Sequence, residues 1–234
     1  MSRKLKDVAL SDRVYTELRK DLISGRYQPG EKITISSLAE AFGVSPTPVR
    51  EAIRLLIAEG GLDLKPNHSV TVPALSPAEY REITRIRLEL EGLAAFEAAG
   101  RYGDKQFARF VETNRKLEKA RAAGRFGTVL QCNREFHFAL TEMAGMPTLA
   151  SVLEGLWLRS GPLLNLLYDY GYQQEIKDHP HDELIDALSR RDAAGAKAAI
   201  QRDIELGTEI IAKHLEKSQE QSRQAPKAGR ASVA

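Results

Sequence analysis

The chain has 234 residues, a length that suits one large domain or, more commonly, two domains of moderate size. Its single cysteine, Cys132, rules out an internal disulfide framework and indicates a reducing compartment. No apolar run approaches the length of a membrane span, and the N-terminus lacks a hydrophobic signal core, so we expect a cytoplasmic protein without a membrane partner. The net charge of +2 permits nucleic-acid binding but does not by itself indicate it.

The first sixty residues predict three helices. Between residues 12 and 24, the apolar residues Val14, Leu18 and Leu22 recur at every fourth position, which is the pattern of an amphipathic helix. The segment SSLAEAFG predicts a short second helix. The stretch SPTPVREAI at 45–53 predicts the start of a third, because proline is tolerated in the first helical turn. Two short helices joined by a tight turn that contains glycine form a helix-turn-helix.

A small hairpin is predicted directly after the third helix. In LDLKPNHSVTV, apolar and polar residues alternate on either side of a turn at 66–69. A helix-turn-helix followed by a hairpin is a winged helix, whose wing could reach the phosphates or the minor groove beside the second helix of the motif. Residues 1–73 are therefore assigned to a DNA-binding domain.

The remainder of the chain is predicted to be helical. Residues 74–78 form a short linker, and the capping box SPAE begins a second domain at 79–216. Apolar stripes separated by breaks at glycine and proline predict an all-α antiparallel bundle of six or seven helices. The first stripe consists of Ile83, Ile86, Leu90 and Leu93. The polar residues 217–234 are predicted to be disordered, and the fold class is mainly α.

Several polar residues interrupt the inner faces of these helices. They are Arg87, Asn133, His137, His181 and Asp203. Such groups are costly to bury unless they are paired, hydrogen-bonded or bound to a metal. Two imidazoles, a carboxylate and an amide oxygen suit a divalent ion such as Zn²⁺, Ni²⁺ or Mn²⁺, and Asn133 and His137 lie one helical turn apart. Arg87 could then bind the carboxylate of a small organic acid beside the ion.

Structural explanations of the same residues stay open. A lone histidine on an apolar face is more often a hydrogen-bonded core residue than a metal ligand. Arg87 could instead pair with Glu91 one turn later, as an ion pair on the surface of the bundle. Tyr168, Tyr170 and Tyr172 could line a pocket mouth or simply cover the bundle. The sequence contains no recognisable nucleophile–base pair, glycine-rich phosphate loop or paired-cysteine zinc motif, so it gives an enzyme little support.

Two parts of the chain resemble known families. LRKDLISGRYQPGEKITISSLAEAFGVSPTPVREAIRLLIAEGGLDLKPNHSVTV resembles the winged helix of GntR-family bacterial transcription regulators. RIRLELEGLAA, NREFHFAL and HDELIDALSRRD resemble, in order and spacing, the FCD effector domain of the FadR-like branch. The resemblance covers about residues 10–215. It implies a homodimeric, DNA-binding regulator whose helical bundle binds a small carboxylate metabolite, often beside a metal ion.

The resemblance places the DNA contacts on the third helix and the wing. The threonine and arginine of the family's recognition helix match Thr47 and Arg50, whereas Pro46 stands where the family commonly has an arginine, so we expect a different operator. In the wing, Asn67 or His68 is expected to take the positive φ that a glycine usually provides. The predicted DNA-binding residues are Ser36, Ser45, Thr47, Arg50, Arg54, Lys65, Asn67 and His68.

The resemblance also implies a set of metal ligands. In the metal-binding branch of the family, an aspartate four residues before the histidine of an FH pair is a ligand, and Asn133 holds that position before His137. The second family histidine corresponds to His181, with His179 as the alternative register, and the third corresponds to Asp203. Because one carboxylate and two imidazoles are kept, we predict that Asn133, His137, His181 and Asp203 bind a divalent metal, Zn²⁺ or Ni²⁺. Effector contacts are predicted for Arg87, Arg134 and Tyr168.

These features support one hypothesis and two alternatives. The hypothesis is a transcriptional regulator, more often a repressor, that binds a short palindromic operator in double-stranded DNA as a homodimer and responds to a small organic acid effector. One alternative is a metal-dependent enzyme with an appended DNA-binding head. The other is a metal-free architectural DNA-binding protein whose bundle only dimerises.

Overall fold

Two units follow one another along the chain in the computed structural model, which describes residues 3–169 and 179–224. The fold is mainly α with one small three-stranded sheet, which confirms the predicted fold class. None of the described helices combines the length and the apolar character that a bilayer crossing needs. Tyr170 and Tyr172, which could line a pocket mouth, and the tail residues 225–234 lie outside the described residues.

The N-terminal unit contains three helices around a common apolar core. They are α1 (Arg3–Ile23), α2 (Ile35–Phe42) and α3 (Pro46–Ala58). The residues most deeply buried in this core are Val14, Leu18, Leu22, Val49, Ala52 and Leu56. The four-residue spacing in α1 therefore marks its buried face, as predicted, although the helix begins nine residues before the predicted start.

The turn between α2 and α3 is held by local interactions. The side chain of Thr34 accepts a hydrogen bond from the backbone N–H of Ser37 at 3.2 Å, which caps the start of α2. Gly43 ends that helix with a φ of 63°, a conformation that glycine adopts without strain. Ser45 precedes α3 without a side-chain capping bond, so the fixed φ of Pro46 at the first helical position sets the start of the helix.

The wing is a small antiparallel sheet with the strand order β1-β3-β2. Its strands are β1 (Lys32–Ile33), β2 (Asp63–Leu64) and β3 (Val70–Thr71). The predicted hairpin corresponds to β2 and β3, and His68, one of the two residues expected to take a positive φ, has a φ of 59°. The strand β1 was not predicted, because two residues are too few to show an alternating pattern.

The C-terminal unit is a helical bundle built around α4 (Pro77–Arg101), which packs against helices on several sides. The other helices are α5 (Asp104–Ala122), α6 (Phe126–Ala144), α7 (Pro147–Ser160), α8 (Leu166–Asp169), α9 (Pro180–Ser189) and α10 (Ala193–Gln224). A 3₁₀ helix, Gly161–Asn165, connects α7 to α8 and begins with a glycine-proline pair, one of the breaks between apolar stripes. A capping box between Ser76 and Glu79 starts α4, as predicted.

The boundaries of the bundle differ from those predicted at both ends. The helix α4 begins at Pro77, inside the predicted linker 74–78, because the capping box lies within that segment. At the other end, α10 continues to Gln224, so disorder was wrongly predicted for residues 217–224. That segment is polar, but its Lys, Gln and Glu residues are good helix formers and prolong a helix already anchored in the core.

The buried face of α4 also differs from the predicted stripe. Ile83 is buried as expected, but Ile86 and Leu93 are 43% and 39% exposed. Two charged residues, Arg87 and Glu91, occupy the core-facing positions one and two turns after Ile83. The helix is therefore rotated so that a polar pair faces inward and an apolar stripe faces outward.

An ion pair connects the two units at a seam between α1 and α7. Arg19 of α1 contacts Glu154 of α7 at 2.7 Å and Glu59 at 3.2 Å. Glu59 belongs to the N-terminal unit, as Arg19 does, and the hydroxyl of Tyr15 donates a hydrogen bond to it at 2.5 Å, which holds Glu59 beside Arg19. These contacts are partly exposed, so each contributes little alone, and close apolar packing supplies the rest of the seam.

Two glycines allow the backbones to approach closely at this seam. A Cβ on Gly61 would lie 2.7 Å from the side chain of Leu158 in α7. A Cβ on Gly161 would overlap the backbone of Ile23 at the end of α1. Because backbone atoms cannot move aside as a flexible side chain can, glycine at position 161 is required for the observed contact.

We expect Gly161→Ala to destabilise the protein by about 1–3 kcal/mol, because the added methyl group would overpack the seam against Ile23. Gly155→Ala is the matched control. Gly155 lies inside α7, and beyond its own helical neighbours no described residue has an atom within 4 Å of the place that a methyl group would take. Alanine there should therefore stabilise the helix by about 0.5–1 kcal/mol. Urea unfolding of both variants measures the difference, and a Gly161→Ala protein as stable as the parent would contradict the close approach.

Candidate DNA interface and metal centre

The helix α3 has one buried face and one exposed polar face. Its buried residues are Pro48, Val49, Ala52, Ile53 and Leu56. Thr47, Arg50 and Arg54 are exposed and, at positions i, i+3 and i+7, share a face of the helix. Arg54 lies 3.5 Å from Glu51, but both side chains are largely exposed, so a phosphate can compete for the arginine.

The other predicted DNA contacts are also at the surface. Ser36 and Ser45 are exposed at the starts of α2 and α3. Lys65, Asn67 and His68 are exposed in the wing, where the backbone N–H of His68 donates to the carbonyl of Lys65 at 2.9 Å. All eight predicted residues therefore lie exposed on the helix-turn-helix and its wing, where DNA could reach them.

A small polar cavity lies inside the bundle. Its volume is 40 Å³. On this scale one water molecule needs roughly 10–15 Å³, so the cavity has room for an ion and a few ligand atoms. Its lining residues are Tyr80, Arg87, Arg121, Leu130, Asn133, His137, Trp157, Leu164, Leu167, His179, Asp203, Ile204, Gly207 and Thr208.

His137 on α6 lies between two carboxylates. Its Nδ1 is 2.6 Å from Oε2 of Glu91, and its Nε2 is 3.2 Å from Oδ2 of Asp203. The contact with Glu91 fixes the orientation of the ring, as a carboxylate behind a metal-bound histidine does. Consequently, Nε2 is the ring nitrogen that faces the cavity-lining Asp203.

His181 on α9 is completely buried and has one ring nitrogen without a hydrogen bond. Its Nδ1 is 3.0 Å from Oδ1 of Asn114, and its ring stacks on Phe136 with centroids 3.9 Å apart. Within the described part of the chain, Nε2 has no hydrogen-bond partner, and Oδ1 of Asp203 lies 3.5 Å away. A buried polar atom left in this way is costly, and a cation bound at Nε2 would satisfy it.

Asp203 on α10 completes a cluster of possible metal ligands. One donor atom each from His137, His181 and Asp203 lie within 4.8 Å of one another. Two imidazole nitrogens and one carboxylate oxygen form a donor set that suits Zn²⁺ and similar divalent ions, with further coordination positions left for another ligand. The residues present therefore fit a metal ion.

The electrostatics of the cluster are set by burial and by its close charges. Burial lowers the pKa of His137, but the Glu91 charge and the hydrogen bonds to Asp203 and Glu91 outweigh it and raise the pKa to about 9. Burial lowers the pKa of His181. Burial and the neighbouring His181 lower the pKa of His179 to about 3. Burial opposes ionisation of Asp203, yet the adjacent histidines hold its pKa well below the usual range.

A second buried network supports this cluster. Oε1 of Glu91 accepts hydrogen bonds from Nε of Arg87 at 2.7 Å and from Nε1 of Trp157 at 3.0 Å. The guanidinium of Arg87 also lies 4.1 Å from the centre of the Trp157 ring. Arg87 therefore pairs with Glu91, but in the core and not on the bundle surface, and it also lines the cavity as predicted.

The remaining predicted ligands also face the cavity. Asn133 lines it one turn before His137. His179 lines it as well, with Nδ1 3.8 Å from Oδ1 of Asp203, and caps α9 by accepting a hydrogen bond from the backbone N–H of His181. The two possible histidine registers are therefore both near Asp203, and His181 is the one that joins the cluster.

Two predicted effector residues are not placed in this cavity. Arg134 lines spaces between α1 and α6 instead, so its predicted contact with an effector would lie outside this cavity. Consecutive helical residues differ in direction by about 100°, which turns Arg134 away from the face of Asn133 and toward α1. Tyr168 belongs to α8, but its side chain, like Tyr170 and Tyr172, lies outside the described residues.

The supporting residues Glu91 and Asn114 were not predicted as part of the site. The sequence indicates Glu91 only as a surface partner of Arg87. Asn114 lies on α5, and nothing in the sequence connects it with the distant histidine that it contacts. The available signal was its position between Phe110 and Leu117, where an amide interrupts an otherwise buried apolar stripe.

Comparisons with known proteins agree with this division into two units. Residues 10–72 match the family described as bacterial regulatory proteins, gntR family, and residues 82–206 match the FCD domain. The first range covers the winged helix and the second covers most of the bundle. Both of the resemblances found in the sequence are therefore confirmed.

Individual relatives align over nearly the whole chain. The chain is 32% identical over 210 residues to the HTH-type transcriptional regulator McbR of Escherichia coli (strain K12), which covers 89% of this chain and 95% of McbR. It is 26% identical over 212 residues to the HTH-type transcriptional repressor GlaR of the same organism, covering 84% and 93%. The solved structure of E. coli McbR/YncC superimposes with a TM-score of 0.77 at 31% identity, over 91% of this chain and 98% of that one.

We expect Arg87→Met to destabilise the protein by about 3–5 kcal/mol, because it leaves the buried carboxylate of Glu91 without its principal cation. The matched control is Arg190→Met, which breaks an exposed pair with Asp186 of the same four-residue spacing and should cost at most about 1 kcal/mol. Chemical denaturation of both purified variants gives the two values. Equal losses would show that Glu91 does not depend on Arg87.

Proposed function

Because the chain belongs to the GntR family of bacterial transcription regulators and carries an FCD domain, we propose that it binds an operator through α3 and the wing and responds to a small carboxylate bound in the bundle. Its family consists of DNA-binding transcription regulators and not of enzymes. The observation that carries the proposal is the presence, in one chain, of an exposed polar face on the helix-turn-helix and a buried His-His-Asp cluster.

The operator is a short palindrome read by two copies of the chain. Each copy places α3 in the major groove, where Thr47 and Arg50 contact base edges and Arg54 contacts a phosphate. Lys65 and His68 in the wing add contacts to the flanking backbone. Because Pro46 replaces a side chain that could donate hydrogen bonds, more of the sequence preference rests on Thr47 and Arg50.

The homodimer uses an apolar stripe on α4. Ile86, Leu90 and Leu93 follow at positions i, i+4 and i+7, and the first and last of these are among the exposed large apolar side chains of the bundle. An exposed stripe on a helix that is otherwise central in the bundle suits burial against a second copy of the chain. Pairing of two bundles in this way would hold two DNA-binding units at a fixed separation.

The bundle cavity holds a divalent metal, Zn²⁺ or Ni²⁺, through His137, His181 and Asp203, with Asn133 on the same wall. A metal ion there would supply a Lewis-acidic anchor for the carboxylate of the effector. Among the cavity residues, Arg121 and the outer nitrogens of Arg87 offer hydrogen bonds to the remaining carboxylate oxygens.

Regulation is by repression that the effector relieves. GlaR is named as a repressor, which supports repression, and not activation, by this chain as well. To act as a switch, the effector must bind two arrangements of the DNA-binding units with different affinity. The chain works in the cytoplasm, where bacterial operator DNA is found.

We expect Arg50→Ala to weaken operator binding by about 1–3 kcal/mol, or roughly 5- to 150-fold, because an arginine contact to a base edge is lost. Gel-shift titration against a duplex selected by the parent protein from a random pool measures this. The matched control is Arg109→Ala, which removes an exposed arginine from α5 in the bundle and should leave affinity unchanged. Equal affinity for the parent and Arg50→Ala would show that α3 is not the recognition helix.

We expect the protein to retain about one equivalent of Zn²⁺ or Ni²⁺ per chain after dialysis, because His137, His181 and Asp203 offer three donor atoms to one ion. His137→Ala and His181→Ala should each lower metal affinity by more than about 100-fold, since changes to supporting residues alone cost 10- to 100-fold. Elemental analysis of the dialysed proteins measures the bound metal. The loaded parent should also gain thermal stability with small carboxylates.

His68→Ala is the control for the metal measurement, because His68 lies exposed in the wing, far in sequence from the cluster. It should retain as much metal as the parent. A parent protein that retains no metal would exclude the metal site, and a loaded parent whose melting temperature does not respond to any carboxylate in a broad panel would exclude the proposed effector class.

A further inference from the structure

A larger cavity lies in the seam between the winged helix and the bundle, apart from the metal cluster. Its volume is 540 Å³, within the range of about 300–1,000 Å³ that is typical of small-molecule sites. Its walls come from the end of α1, the turn that follows, and the first turns of α6. The residues that matter here are Lys20, Asp21, Arg26, Gln131 and Arg134.

The lining of this cavity carries an excess of positive charge. Three cationic side chains, Lys20, Arg26 and Arg134, face one carboxylate, that of Asp21. Asp21 is already paired with Arg26 at 3.0 Å. In residues 3–169 and 179–224, no ion pair within 4 Å involves Lys20, so the cavity has an unbalanced cationic wall.

Arg134 has a buried donor that is left without an acceptor. Its side chain is only 20% exposed, and its Nε makes no hydrogen bond to any residue that the structure describes. The nearest carboxylate oxygen, on Glu135, lies 3.9 Å from Nη2, and the ring of Phe138 lies 5.9 Å from the guanidinium carbon. Neither contact is a hydrogen bond and Nε itself is enclosed, so it is the charge of the guanidinium on the cavity wall that is open to a ligand with acceptor oxygens.

We propose that this cavity binds a phosphorylated small metabolite, with the phosphate group held by Arg134, Lys20 and Arg26. A phosphate monoester carries a charge of about −1.5 to −2 and three acceptor oxygens, which match an excess of two positive charges. The planar guanidinium of Arg134 can bind two of these oxygens at once, and Lys20 supplies a point charge. A carboxylate offers fewer acceptors and less charge, so it fits this wall less well.

The position of the site connects it with both units of the protein. Lys20 and Arg26 belong to the DNA-binding unit, whereas Arg134 belongs to the bundle, so a phosphate bound by all three bridges the seam. Leu130 of α6 lines both this cavity and the metal cavity. A ligand here would therefore stabilise one placement of the winged helix on the bundle. By linkage, the factor by which the ligand shifts the equilibrium between two placements equals the ratio of its affinities for them.

Isothermal titration of the full-length parent with glycerol 3-phosphate, in low-salt buffer free of inorganic phosphate, tests the proposal. One molecule should bind per chain, and glycerol should not bind. Arg134→Gln should weaken binding by at least about tenfold and Arg26→Gln by several-fold, because each removes a charge-assisted contact. Arg109→Gln is the matched control, since Arg109 is exposed on α5 and should not affect binding.

Two further measurements locate the site and keep the proposal testable if Arg134→Gln misfolds. Arg134→Lys keeps the charge but loses the planar fork, so its affinity should lie between those of the parent and Arg134→Gln. Glycerol 3-phosphate should slow the acetylation of Lys20 in the parent but not that of Lys105, which is exposed on α5. The acetylation measurement needs no variant, and circular dichroism checks the fold of each variant that is used.

Three results with small ligands would overturn the proposal: no binding of glycerol 3-phosphate to the parent, equal binding to the parent and Arg134→Gln, or succinate binding that depends as strongly on Arg134. Weakened operator binding by Arg134→Gln, with unchanged binding of glycerol 3-phosphate, would also overturn it and assign Arg134 to DNA. Arg134→Gln should keep the metal content of the parent, so failure here is distinguishable from failure of the metal site.

Discussion

The carboxylate of Glu91 is the group on which the rest of the bundle depends. It is 1% exposed and accepts hydrogen bonds from Arg87 on its own helix and Trp157 on α7, and it contacts His137 on α6. Burial alone would raise the pKa of Glu91, but Arg87 and His137 lower it to about 2. Because a buried carboxylate is tolerated only when its oxygens are satisfied, the three helices must keep their relative positions for all of these contacts to persist.

The same constraint connects the His-His-Asp cluster with the seam. Trp157 contacts Glu91 from α7, and the next residues along α7 and the 3₁₀ helix meet the winged helix. Leu158 lies against Gly61, and Gly161 lies against Ile23. A displacement of Trp157 therefore cannot occur without a displacement at the seam, because both belong to one continuous helical segment without a loop between them. The close backbone contacts leave little room for gradual adjustment, which favours discrete placements of the winged helix.

The extent to which sequence predicted the structure depends on the range of the interactions. The helix-turn-helix and the capping box at Ser76 follow from neighbours within a few residues, so their signals are local. Asn133 and His137 share a cavity because one helical turn separates them, which the sequence also shows. The contact of Asn114 with His181 joins residues 67 positions apart, and only the packing of α5 against the bundle creates it. Arg134 illustrates the remaining difficulty, since the rotation of α6 between its neighbours decides which cavity each side chain faces.

In the metal-binding branch that the sequence resembles, an aspartate holds the position of Asn133 and a histidine holds that of Asp203. The carboxylate of this site therefore lies on α10 and not on α6. Asp203 is the carboxylate that lies close to both histidines, at 3.2 Å from His137 and 3.5 Å from His181, whereas the Glu91 carboxylate, 2.6 Å from His137, is already balanced by Arg87. A divalent ion among two neutral imidazoles and one carboxylate would keep a net charge of +1. In a buried site of low polarity this excess favours an anion as the additional ligand. The donor set therefore supports an anionic effector, of which the proposed carboxylate is one kind, independently of the family resemblance, because a neutral ligand would leave the charge of the site unbalanced.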